Sequence, residues 1–131
     1  MIASDVAEVG AVYGLPFARL LLAVVFLYSG QDKLRHWRAG VAEVTELGMP
    51  FPGLFAAATI ATQLLGGLSV ATGVRAAFGA ALLAGFTVAA TLLGHRFWLL
   101  RGDPAKKEFT TSLEHVAIVG GLILVIVESL R

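Results

Sequence analysis

Seven residues of this 131-residue chain set a polar or ionisable side chain inside or beside an apolar run: Arg19, Lys33, Gln63, His95, Glu114, His115 and Glu128. Charges at membrane depth are rare and usually face a cavity or one another. Lys33 and Glu114 are therefore expected to pair around a polar pocket. There His95 or His115 would hydrogen-bond a carbonyl or hydroxyl of an aromatic ligand, since a neutral imidazole offers both a donor and an acceptor. The competing reading is a purely structural ion-pair cluster, in which Lys33 and Arg96 reach lipid phosphates and Glu114 pairs with a cation only to be buried. Far from these, Arg19 needs a counterpart, and Glu128 is expected to supply it as a structural ion pair. An anionic headgroup or a ligand oxygen is the alternative. Gln63 lies between the two ends, with hydrogen bonding across the helices and ligand binding as its two readings.

The elements that must position these residues are apolar helices. From Arg19 to Lys33 an aliphatic run spans roughly 21 Å at ~1.5 Å per residue, against a bilayer core of about 30 Å. Positions 19, 23, 26, 30 and 33 hold Arg, Ala, Phe, Gly and Lys on one helix face, so that face is predicted to meet protein while Leu20, Leu21, Val24, Val25 and Leu27 meet lipid. The reading is all-α, an integral membrane four-helix bundle. An acidic lead-in at 1–12 precedes spans at about 13–35, 52–72, 75–98 and 109–128. Pro16 is placed in the first turn of the first span, where its missing N–H is tolerated, and Thr110, Thr111 or Ser112 is expected to cap the fourth. Between the first two spans, Trp37, Val41, Val44 and Leu47 mark a short amphipathic surface helix, ended by Gly48-Met49-Pro50-Phe51-Pro52. Two stripes of small residues, Thr59-Gln63-Gly67-Ala71 and Ala77-Ala81-Gly85-Ala89 beside Ala76, Ala80 and Ala84, suit close helix approach.

Composition supports that setting. Hydrophobic residues make up 57 % of the chain and mean hydropathy is +0.82, above the ordinary soluble range of about 45–50 %. A net charge of +1 leaves no nucleic-acid footprint. With no cysteine, thiol nucleophiles, disulfides and Cys-ligated clusters are excluded. His36, His95, His115 and Glu114 lack the spacing that sets two metal ligands on one helix face, and no phosphate-binding glycine loop occurs. No metal, haem or flavin held by this chain is expected.

Asp5 and Glu8 precede the first apolar run, so that run is expected to stay as a span and not be removed as a signal peptide. Four spans bring both termini to one side. The loops between spans one and two and between spans three and four carry Lys33, Arg35, Arg38, Arg96, Arg101, Lys106 and Lys107, against Arg19, Arg75 and Arg131 opposite. Both loops are therefore predicted to be cytoplasmic in the plasma membrane, with both termini outside.

Four stretches carry a resemblance: Arg19-Leu20-Leu21-Leu22 with Phe26-Leu27-Tyr28-Ser29-Gly30-Gln31-Asp32-Lys33; Leu47-Gly48-Met49-Pro50-Phe51-Pro52; the segment from Gln63 through Gly66-Gly67 to Gly73-Val74-Arg75; and Glu114-His115 through Gly120-Gly121-Leu122. Together they resemble the DoxX family of small bacterial and archaeal four-helix membrane proteins, over about residues 15–127. The resemblance implies redox work linked to quinones. The family is named after a subunit of a thiosulfate–quinone oxidoreductase, and relatives are associated with oxidative stress resistance. Where this chain has Gln63 the family commonly has an acid, and His115 stands where asparagine is frequent. The implied function is therefore quinone or phenol binding between helices, or service as the membrane subunit of an oxidoreductase. A non-catalytic scaffold or assembly factor, packed on a partner or a second copy, is the alternative.

Overall fold

A computed structural model describes residues 2–131. The first helix begins well before the predicted span. α1 (Ile2–Val9) continues through a π turn (Gly10–Gly14) into α2 (Leu15–Arg35). Pro16 accounts for the turn, and it stands inside a long helix instead of at its start. With no N–H to give and a ring that crowds the preceding turn, it is accommodated by a wider turn in which Leu15 N–H bonds the Gly10 carbonyl.

His36 alone separates α2 from α3 (Trp37–Glu46), the predicted amphipathic helix. Its backbone leaves the helical region at φ −115°, ψ 55°, and its N–H and Nδ1 reach the Asp32 carbonyl at 2.9 and 3.1 Å. α4 (Pro52–Thr72) and α5 (Ala76–Gly94) follow, joined by a tight turn. Gly73 closes α4 at φ +82°, and the Ser69 hydroxyl meets the carbonyls of Val74 and Arg75 at 2.7 and 3.0 Å. A short 3-10 turn (Phe97–Leu99) leads to α6 (Asp103–Ser129). Four stretches are long and apolar enough to cross a bilayer: Ile2–Arg35, Pro52–Thr72, Ala76–Leu99 and Asp103–Ser129. No strand occurs among the described residues. The fold is an all-helical membrane bundle.

α6 starts earlier than the predicted 109. Asp103 and Pro104 form its first turn, where an acid favours the helix dipole and a proline loses no hydrogen bond. Thr110, Thr111 and Ser112 are consequently interior. They do not cap the helix but return their hydroxyls to the carbonyls of Lys106, Lys107 and Glu108 at 2.9, 3.1 and 2.9 Å.

Packing runs α2 on α4, α4 on α5 and α5 on α6, with a thin seam between α2 and α6. Glycines admit leucines at the α2–α4 and α4–α5 contacts. A Cβ added at Gly66 would stand 2.8 Å from Leu83, one at Gly67 2.8 Å from Leu27, and one at Gly30 2.9 Å from Leu64. At the thin seam, Gly121 sits 3.2 Å from Leu22 by the same measure. Ala23, Phe26, Val70, Ala80, Leu83 and Leu122 form the core. The inward face of α2 follows the prediction at Ala23, Phe26 and Gly30, which are buried, and at Leu20, Leu21, Val24 and Val25, which are exposed; Leu27, expected to meet lipid, instead packs inward against Gly67 because the glycine leaves room for it. On α5 the flanking stripe is the buried one, with Ala76 and Ala80 inside beside Gly79, while Ala81, Gly85 and Ala89 face outward. A strict four-residue repeat drifts around a helix of 3.6 residues per turn, and the contact is set by where Leu83 meets Gly66.

Candidate functional site

The polar residues converge where α5 ends and α6 begins. His95 leaves α5 at φ −122°, ψ 58°, its N–H still bonded to the Thr91 carbonyl at 3.0 Å. This bend turns the imidazole toward α6, where Nδ1 meets Glu108 Oε2 at 2.5 Å. One turn further along, the Ser112 hydroxyl bonds the Glu108 carbonyl and reaches toward that of His95 at 3.5 Å.

His115 comes from deeper in α6 and meets Thr91 of α5, with Nδ1 2.8 Å from the hydroxyl oxygen. Thr91 gives its only hydroxyl proton to the Thr87 carbonyl at 2.7 Å, so the ring must donate through Nδ1. Thr87 repeats the device one turn earlier, to Leu83. The two imidazoles face edge to face-plane with centroids 5.0 Å apart and an interplanar angle of 71°. Each has Nδ1 engaged. Neither Nε2 has a hydrogen-bond partner among the described residues, and neither is sealed inside the protein. Phe97 stacks edge-on against Phe109 and Trp98 beside them, at 5.0 and 5.2 Å.

Chemically, this is a pair of neighbouring acceptor nitrogens when both rings are neutral, and of donors when they are protonated. Such a pair can hold a hydroxyl or carbonyl group and exchange protons with it. Among the described residues no group of three or more His, Cys, Asp or Glu side chains could hold a metal ion.

Of the residues singled out from the sequence, His95 and His115 are together. The others are elsewhere. Lys33 and Glu114 form no ion pair: Glu114 is exposed on the outer side of α6, and half-buried Lys33 lies beside Gly40 of α3. The expected pair fails because α2 and α6 barely touch. Gln63 is buried on α4 against Gly30, yet among the described residues its Oε1 has no hydrogen-bond partner, so none of them gives it a hydrogen bond across the bundle. Arg19 and Glu128 border one groove without forming an ion pair; Glu128 instead faces Arg131 at 3.8 Å. A one-turn spacing to Arg131 on the same chain end is more easily met than a reach across the thin seam.

Sequence reasoning missed Glu108, Thr91 and Ser112. Glu108 falls just outside the predicted fourth span at 109–128, although Gly102-Asp103-Pro104 carries a helix-start signal that puts it on α6. Thr91 gave no signal and Ser112 read only as a helix cap, since hydroxyls in apolar helices commonly bond back to their own backbone.

The model of the DoxX family matches residues 14–96, from the start of α2 to the residue after His95. The chain is also 24 % identical over 110 residues to the inner membrane protein YphA of Escherichia coli (strain K12), covering 84 % of this chain and 79 % of that protein. No solved structure matches. With more than half of its length matched and four apolar helices able to cross a bilayer, the chain is a multi-pass membrane protein that belongs to the DoxX family.

Proposed function

We propose that this protein binds a quinone or phenolic headgroup at the His95–His115 pair and serves quinone-linked redox metabolism or oxidative-stress defence, as the membrane subunit of an oxidoreductase. The observation that carries the reading is the pair of accessible, unpartnered Nε2 atoms on rings 5.0 Å apart. Glu108 and Thr91 hold the two rings through Nδ1, leaving each Nε2 free for a ligand oxygen. The residues fit such a group: two adjacent imidazoles match a carbonyl or hydroxyl, and the neighbouring Phe97 and Phe109 suit an aromatic ring. A bound quinone supplies the electron-carrying chemistry; the histidines hold its oxygen and exchange protons with it.

The test is mass spectrometry of small molecules retained after gentle extraction. Retained isoprenoid quinone, lost in His95→Ala and His115→Ala while thermal stability holds, supports the reading. Equal retention in both variants, or stability lost without any ligand response, refutes it. Under the same proposal both basic loops are cytoplasmic and both termini outside, and a C-terminal reporter active only in the cytoplasm refutes that orientation.

A scaffold role is favoured by one observation. Glu114 is exposed on a membrane-spanning helix with no ion pair among the described residues, which suits a partner helix bearing a cation. A stable complex that dissociates in Glu114→Gln and ignores quinone analogues would favour it.

A further inference from the structure

Arg19 sits at the other end of the bundle, about one turn into α2. It is half-buried, its Nε is fully enclosed without a hydrogen-bond partner, and it makes no ion pair among the described residues. Its guanidinium lies against Gly73, where an added Cβ would stand 3.1 Å from Nη2. The glycine of the α4–α5 turn thus makes room for a cation that no described residue neutralises.

Beside it, α2 and α6 part into a groove of about 480 Å³, walled by Leu15, Leu22, Leu124 and Val125. A second hollow of about 470 Å³ meets the first at Ser129 and is bordered by Gly73, Arg75 and Phe78. Arg75 is exposed and also without an ion pair among the described residues. Two unmet guanidinium groups therefore flank Gly73, and a hydrocarbon-lined groove leads away from one of them.

An unpaired guanidinium at this depth calls for an anion, and the apolar groove calls for a hydrocarbon chain. A free inorganic anion leaves the groove empty. A neutral quinone leaves the charge unmet. A second copy of this chain would have to bring an acid to this depth. The acids at this end are Asp5, Glu8 and Glu128; Glu8 lies roughly 16 Å along the first helix from Arg19 at ~1.5 Å per residue, and Glu128 already faces Arg131. We infer that this end of the bundle binds an anionic phospholipid, its phosphate on Arg19 with Arg75 across Gly73, and one acyl chain in the groove between α2 and α6.

The experiment uses the full chain in nanodiscs of phosphatidylcholine alone or with phosphatidylglycerol, followed by delipidation and native mass spectrometry. The wild type is expected to retain phosphatidylglycerol about fivefold or more over phosphatidylcholine, the scale set by one or two basic residues. Arg19→Gln should abolish that preference, and Arg19→Lys should keep part of it. Leu124→Trp fills the groove from its exposed side and should lower retention without touching the cation. Should Arg19→Gln not fold, the wild-type preference and Leu124→Trp decide. Equal retention of the two lipids, unchanged retention in Leu124→Trp, displacement by an isoprenoid quinone, or a dimer that excludes lipid from the groove would each overturn the inference. None of these outcomes depends on the histidine pair at the opposite end.

Discussion

His95 Nδ1 rests on Glu108 Oε2 at 2.5 Å, joining the residue just after α5 to the second turn of α6. The contact fixes the ring that leaves Nε2 free. Removing the carboxylate should therefore affect both stability and ligand retention. Glu108→Ala is expected to lose about 1–2 kcal/mol, the low end for a hydrogen bond to a charged group because both side chains are half-buried, and to release retained quinone. Glu108→Gln should keep most of the stability. Thermal unfolding in detergent and mass spectrometry of retained molecules check the two effects separately.

Leu83 filling the notch at Gly66 sets the α4–α5 contact. Gly66→Ala would place its Cβ 2.8 Å from Leu83 Cγ and is expected to destabilise by about 1–3 kcal/mol through overpacking. Gly85→Ala is the control, since nothing lies within 4 Å of that site. It should be neutral, or gain up to about 1 kcal/mol from helix propensity. Equal loss from both substitutions would contradict this packing.

Gln63 is buried without a partner for Oε1. An unmet buried acceptor costs about 1–3 kcal/mol. Gln63→Leu, similar in size, is thus expected to raise stability by about 1 kcal/mol. A loss of stability on that change would show that the amide is bonded.

Glu114→Gln should leave the unfolding of the isolated chain unchanged within about 0.5 kcal/mol, as for other exposed sites. A Lys33–Glu114 pair would instead make both Glu114→Gln and Lys33→Met destabilising, with strong coupling in the double-mutant cycle. Thermal unfolding of the four proteins measures that coupling.

The linear order of residues determined the membrane class, the four apolar helices, the amphipathic α3 and the inward face of α2. Each follows from periodicity and hydropathy along one element, which neighbouring elements do not alter. The family resemblance was legible for the same reason, in short motifs at helix exits and glycine pairs. Which polar groups meet depended on packing. Lys33 and Glu114 are expected to pair because charges at membrane depth usually face one another, whereas α2 and α6 barely touch. Glu128 found Arg131 in place of Arg19. His95 and His115 came together because α5 ends in a bend and α6 begins six residues before the predicted 109, which also brought Glu108 onto a helix and within reach. A helix register shifted by one residue rotates every later side chain by about 100°. That geometric sensitivity is why the site was settled by tertiary structure while the membrane bundle was already written in the chain.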